Sequence, residues 1–416
     1  MRIQDHPPLH LTYCLNIHPG ERWAENFQAI REKAVSVRDR LRAGRHGDSP
    51  AAAGKPFGLG LRLGRRAAEE LIAPRNMEEF QAFLQAQDLY VFTINGFPYG
   101  PFHGAPVKEE VYRPDWRTKE RLDYTILLAD ILCRLLPPGV NGSISTVPGT
   151  YKAWARTPED FGQMGANLCD AADHLDHLRE QTGKTLVLAL EPEPDCVLET
   201  TEETRRFFND PLLTAGRAHL QRARSRSAGE GEDVIRRHLG VCLDLAHAAV
   251  EFEDPTESLR QYASAGIAVA KVQLSAALAA EPTPEAMERL QEFRDEVYLH
   301  QVKVRRADGS LLSHPDLPQA MADPQARGAG REWRVHFHVP LFCDRYGPLQ
   351  STASLLGDGF WQALRAGPCE HLEIETYTFG VLPVGLRSTD VVDNVVREYR
   401  WVLERLGIAQ NLIPAR

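Results

Sequence analysis

Four short apolar runs in this 416-residue chain each end in a side chain that can bind a metal or move a proton. They cover residues 186–191 (closing on Glu191), 239–244 (closing on Asp244, with His247 just beyond), 334–338 (carrying His336 and His338) and 371–375 (closing on Glu375). An apolar run bounded by turn signals reads as a buried strand. A carboxylate at its last position is costly to bury unless something pairs with it. Several such residues, each closing a separate buried strand, imply convergence on one charged object. In a parallel β-barrel the C-terminal strand ends meet on a single face, where catalytic residues gather. A metal-dependent enzyme is the expectation.

The alternation of short β-like runs with longer amphipathic ones continues along the chain. Strands are expected over 9–17, 57–63, 89–95, 141–147, 184–191, 238–244, 267–273 and 371–375, and helices over 21–42, 65–87, 118–136, 157–182, 200–209 and 389–406. The polar stretch 217–233 reads as an exposed extension. This pattern fits an α/β fold, a (β/α)8 TIM barrel as one domain over 1–416. It requires residues 275–349 to be an insertion between strands seven and eight that covers the barrel mouth. Within it, 297–305 and 331–339 look extended and able to pair, with a short helix near 317–321. A doubly wound open sheet is the runner-up. No G-x-G-x-x-G or G-x-x-x-x-G-K-[ST] loop opens a helix, which weighs against it.

Charge and cysteine usage narrow the partners. The net charge of −9 weighs against a nucleic-acid partner, since such domains are usually basic. Seven widely spaced cysteines with no C-x-x-C pair read as free thiols of a reducing compartment. The first residues lack a signal-type apolar core, and no apolar stretch approaches a membrane span. A cytoplasmic protein with a small-molecule metabolite as partner is expected.

Each candidate also has an ordinary structural reading. Glu191 is followed by Pro192, Glu193 and Pro194, which delay the next helix and hold the carboxylate at the strand end. Asp244 and His247 form D-x-x-H at a strand-to-helix junction, where Asp244 could equally be an N-cap. His336 and His338 alternate on an extended run and so share a face. Glu373 and Glu375 also share one, and Glu375 lies nearer the strand end. Tyr13, Asn16, His18, Asn95 and His103 fall at or just past early strand ends and are expected to line the other half of a substrate pocket.

Together these positions resemble the xylose-isomerase-like TIM-barrel superfamily of sugar isomerases, ketose 3-epimerases, hydroxypyruvate isomerase and endonuclease IV. There a Glu ends strand five, D-x-x-H follows strand six, a His ends strand seven and a Glu ends strand eight. Glu191, Asp244 with His247, and Glu375 match in order; strand seven offers Gln273 instead of His. His336-x-His338 resembles the Asp-x-His pair of endonuclease IV, with His in place of Asp. Longer motifs resemble the EboE metabolite-traffic proteins: residues 11–21, Asn95-Gly96-Phe97-Pro98-Tyr99-Gly100, residues 333–341 and residues 372–378. The resemblance implies a divalent metal (Mn2+, Zn2+ or Co2+) held by residues drawn from Glu191, Asp244, His247, Gln273, His336, His338 and Glu375. It further implies Glu191 and Glu375 as acid and base, with His247 as ligand or substrate contact, in an isomerase or epimerase of a sugar-like or hydroxycarbonyl metabolite. A metal-dependent hydrolase or phosphoesterase, and a metabolite-binding barrel without turnover, are the alternatives.

Overall fold

The computed structural model describes residues 1–43, 55–100, 108–294, 298–382 and 390–408. A short strand β1 (Arg2–Gln4) lies antiparallel on β2 (Leu9–Tyr13). The barrel strands are β2, β3 (Phe57–Arg62), β4 (Leu89–Asn95), β5 (Gly142–Thr146), β6 (Leu186–Leu190), β7 (Leu239–Asp244), β8 (Ala268–Leu274) and β15 (His371–Ile374). They run parallel in the order β2-β15-β8-β7-β6-β5-β4-β3. A parallel bridge from Cys14 to Gly60 joins the two ends, and Thr12 Oγ1 donates to the Gly58 carbonyl at 3.0 Å across that seam. The chain is therefore a TIM barrel. Every residue of β2, β3, β4, β5 and β7 is buried, as expected of parallel strands covered by helices outside and side chains inside.

Helix boundaries follow local chemistry. The helix Pro158–Thr182 opens with Thr157 and Asp160 capping each other's backbone N–H, and it stops at Gly183, whose φ of 73° is left-handed. Expectation and structure differ in three places. The helix expected over 65–87 is two, Arg65–Leu71 and Pro74–Ala86, because proline forces Ala73 into an extended conformation. The stretch 217–233 is not an extension. It belongs to helices Arg217–Arg224 and Ala228–His238, the second capped by Ser227 with Glu230. The first barrel strand ends at Tyr13 and passes into a 3-10 turn, Leu15–Ile17.

The barrel interior is polar. Near its lower end His10 Nδ1 meets the Tyr90 hydroxyl at 2.7 Å and His371 Nδ1 meets Ser143 Oγ at 2.9 Å. Above them Lys271 Nζ pairs with Glu373 at 2.5 Å, both fully buried. Gly60 makes room for this pair, since a Cβ there would lie 1.9 Å from Glu373 Oε1.

Between β8 and β15 lies a second, antiparallel sheet. Its strands are β9 (Leu278–Ala280), β10 (Val302–Arg306), β11 (Leu311–His314), β12 (Gly330–Val335), β13 (Arg345–Tyr346) and β14 (Leu349–Ser351), in the order β11-β10-β12-β9-β14-β13. Val302 faces Val335 and Val304 faces Trp333 in the β10–β12 pair. Lys303 ties this sheet to the barrel's loops through Glu199 and Glu251. Among the described residues no helix is long and apolar enough to cross a membrane.

Candidate metal centre

At the C-terminal ends of β6, β7 and β15, three carboxylates and three imidazoles converge. Ligand atoms of Glu191, Asp244 and His247 lie within 4.8 Å of one another. The same holds for Asp244, His338 and Glu375, and for His247, His336 and His338. Asp244, His247 and His338 are each shared between two of these groups. All six residues are buried.

The histidines are oriented by acceptors behind them. His247 Nδ1 lies 2.9 Å from the Pro192 carbonyl, and His338 Nδ1 lies 3.0 Å from the Glu375 carbonyl. A carbonyl can only accept, so both Nδ1 atoms carry hydrogen and both Nε2 atoms present a lone pair. His336 Nδ1 lies 2.7 Å from Gln301 Oε1. The amide is oriented by its other end, where Nε2 donates to the Pro194 carbonyl at 3.2 Å and to Tyr112 Oη at 2.9 Å. His336 therefore also presents Nε2 inward, 3.3 Å from His338 Nε2. Two lone pairs facing each other at that distance repel unless a proton or a cation lies between them. Burial holds His247 down at about 4 and pushes His336 well below its usual range, which keeps both rings unprotonated.

The carboxylates show the complementary need. Asp244 Oδ1 accepts from His247 N at 2.9 Å, as an N-cap, and from Ser275 Oγ at 2.8 Å. Its Oδ2 is buried without a hydrogen-bond partner, as is Oε2 of Glu191. Burial and the neighbouring Glu375 and Asp244 charges push Glu191 well up. Burial and Asp244 do the same to Glu375. Burial would also raise Asp244, but the His247 and His338 rings and its two donors hold it below the usual range. Convergent imidazole lone pairs beside unsatisfied buried carboxylate oxygens fit a divalent transition metal.

Other expected site residues are placed as follows. Asn16 Nδ2 and Asn95 Nδ2 donate to Glu375 Oε1 at 2.7 and 3.0 Å. Gln273 was expected as a weak metal ligand. Instead its amide nitrogen donates to Glu375 Oε2 and its oxygen accepts from Cys242 Sγ at 2.9 Å. A carboxylate only accepts, so the nitrogen has to face it and the oxygen turns away from the ligand cluster. Tyr13 does not line the pocket. Strand alternation turns it outward, where its ring meets Tyr399 of the helix Val391–Arg405 edge-on and its hydroxyl bonds His18 Nε2 at 2.9 Å. His103 lies outside the described residues.

Several contributors carried no sequence signal. Gln301 comes from the second sheet's leading edge and Ser275 from the turn after β8. Tyr377 stacks on His338 at 4.7 Å. Glu193, pushed up to about 8 by burial, accepts from Tyr112 Oη at 2.8 Å and lies 3.8 Å from His336 Nδ1. Its place two residues after Glu191 was the one available hint.

No protein-family model and no curated protein matches the sequence. Solved structures do match. A xylose isomerase-like TIM barrel protein from Mycobacterium smegmatis, in complex with magnesium, superposes with a TM-score of 0.50 at 12% identity, covering 97% of this chain and 98% of that one. An L-ribulose 3-epimerase matches with a TM-score of 0.47 at 12% identity, covering 98% and 99%. The IolI protein with a bound zinc atom matches with a TM-score of 0.45 at 12% identity, covering 96% and 99%. At such identity the first of these likenesses, at a TM-score of 0.50, bears on the fold alone.

Proposed function

We propose that this chain is a divalent-metal-dependent enzyme that moves a carbon-bound proton in a small sugar-like or hydroxycarbonyl metabolite, as an isomerase or epimerase. The observation that carries this reading is the position of Asp244. It belongs to two ligand groups, one containing Glu191 and the other Glu375. One ion held at Asp244 would thus lie between two buried carboxylates.

Asp244, His247, His338 and Glu375 would hold the ion, with Glu191 and His336 at its margins. Their mixed oxygen and imidazole donors suit Mn2+, Zn2+ or Co2+. Such an ion polarises a carbonyl and its neighbouring hydroxyl, acidifying the adjacent C–H. The chain's own groups do the rest. Pro192, Gln301 and the Glu375 backbone fix the three rings, Ser275 fixes Asp244, and a buried carboxylate accepts and returns the carbon-bound proton. The second sheet would cover the barrel mouth and keep water from the intermediate. The resemblance of residues 11–21, 333–341 and 372–378 to EboE proteins supports a substrate from secondary-metabolite biosynthesis or trafficking.

The test is solvent exchange. The metal-loaded chain in D2O, offered aldoses, ketoses and hydroxypyruvate, should incorporate carbon-bound deuterium into at least one of them. The absence of exchange across the panel would contradict the reading. A second reading rests on the third ligand group, His247, His336 and His338, which adjoins the other two. It provides for more than one ion, and adjacent ions suit in-line displacement at phosphorus. Two or more ions per chain, with phosphoester cleavage and no proton exchange, would favour a hydrolase.

A further inference from the structure

The three imidazoles of the centre are not held in the same way. His247 and His338 are set by backbone carbonyls, those of Pro192 and Glu375. His336 is set by a side chain, with Gln301 Oε1 at 2.7 Å from its Nδ1. The two residues face each other because His336 N donates to the Gln301 carbonyl at 2.9 Å. A second acceptor stands near the same ring hydrogen: Glu193 Oε1 lies 3.8 Å from His336 Nδ1. An N–H···O hydrogen bond spans about 2.7–3.2 Å. A modest turn of the ring would therefore exchange one acceptor for the other. That turn would carry Nε2 away from His247 and His338, with which it forms a candidate ligand group.

One hydroxyl bears on both acceptors. Tyr112 Oη donates to Glu193 Oε1 at 2.8 Å, the same oxygen that competes for the ring. It accepts from Gln301 Nε2 at 2.9 Å, and that amide also donates to the Pro194 carbonyl at 3.2 Å. With both amide hydrogens spent, Gln301 has only Oε1 to offer His336. Tyr112 is itself fixed. Its side chain is buried and its ring lies flat on Tyr151, with centroids 5.4 Å and planes 14° apart. Tyr112 ends the short 3-10 helix Lys108–Tyr112, Gln301 leads into β10, and Glu193 lies in the turn after β6. Three separate segments thus meet at one hydroxyl.

We infer that Tyr112 is a positioning residue of the metal centre: its hydroxyl occupies Glu193 Oε1 and orients Gln301, and so directs His336 Nε2 into the group with His247 and His338. The inference rests on the centre proposed above and not on the reaction assigned to it. Tyr112 acts through other side chains and takes no proton from a substrate. Without its hydroxyl, Glu193 regains a free acceptor beside the ring, and Gln301 keeps only its bond to Pro194. The ring then turns towards the carboxyl and leaves the donor set.

The test uses the full-length chain, with zinc affinity read by chelator competition and cobalt(II) absorption as the signature of the donor set. Tyr112→Phe removes one oxygen and keeps the stack on Tyr151. It should weaken zinc binding about tenfold and change the cobalt spectrum. Tyr112→Phe combined with Glu193→Leu should recover most of the lost affinity and the wild-type spectrum, because the competing acceptor is gone. A merely structural role for the hydroxyl predicts no such recovery. An unchanged cobalt spectrum in Tyr112→Phe, or a double variant that binds no better than Tyr112→Phe, would overturn the inference and leave the centre standing. A wild type that binds no zinc would overturn the centre and this inference with it.

Discussion

Glu373 and Glu375, two residues apart at the end of the last barrel strand, point into the same interior under opposite conditions. Glu373 has Lys271 at 2.5 Å, and both are sealed from solvent. Glu375 has three neutral amides, and its closest ion-pair partner is the His338 ring at 3.7 Å. Glu191 and Asp244 add like charge beside it. The lower carboxylate is neutralised by the fold itself; the upper one has no lysine or arginine at ion-pair distance among the described residues, which is the place the proposed ion would take. A third buried glutamate, Glu398, shows another outcome. It accepts from Leu341 N at 3.0 Å and forms no ion pair among the described residues, so burial outweighs the nearby Arg397 charge and pushes it up to about 8. These three glutamates are therefore balanced differently: Glu373 by a lysine, Glu398 by a proton, and Glu375, on the proposed reading, by an ion.

Removing the lysine should have the largest effect. Lys271→Met leaves Glu373 charged and alone, which should cost about 3–5 kcal/mol in urea unfolding. The double variant Lys271→Met with Glu373→Leu should recover most of that loss and still bind zinc. Failure of the double variant to recover would mean that the pair does more than cancel charge.

The proton-balanced site should give a smaller, pH-dependent effect. The folded value of Glu398 lies above its unfolded value of about 4.5. Its contribution to stability is therefore complete below that pH and is lost as pH rises through about 8. Glu398→Gln should flatten this alkaline decline by about 1–3 kcal/mol between pH 5 and 8. Parallel stability profiles for variant and wild type would place the lost proton elsewhere.

The ion-balanced site should respond most gently to changes at its edge. His338→Ala should weaken zinc binding by about tenfold or more. Gln301→Leu, which frees the His336 ring to turn and removes the donor to Tyr112 and Pro194, should cost about tenfold. Equal zinc affinity in Gln301→Leu and wild type would show that His336 stands outside the centre.

Much of this architecture was legible because strand ends and ligand types coincide. The apolar runs closing on Glu191, Asp244 and Glu375 became barrel strands whose ends converge as their order suggested. Pairing of the two extended segments in the second sheet followed from their alternation. What was not legible depended on orientation or on distant partners. Tyr13 lies near a strand end but on the outward register, so proximity alone misplaced it. Gln273 occupies the right strand, yet an amide can either coordinate or donate, and only the position of Glu375 decides which. Gln301 and Tyr112 come from segments with no catalytic spacing, and they meet His336 and Glu193 only in the folded chain. The helices over 217–233 were obscured by polar composition, although Ser227 and Glu230 carried a usable capping signal.

The central claim, that the upper carboxylates and imidazoles await a cation, is most directly tested by titrating the chelator-treated full-length chain with zinc while following stoichiometry and melting temperature. The account predicts saturable binding of at least one ion per chain, a melting temperature that rises with free zinc, and affinity weakened about 100-fold or more in Asp244→Asn. No stoichiometric binding, or binding unchanged in Asp244→Asn, would contradict it.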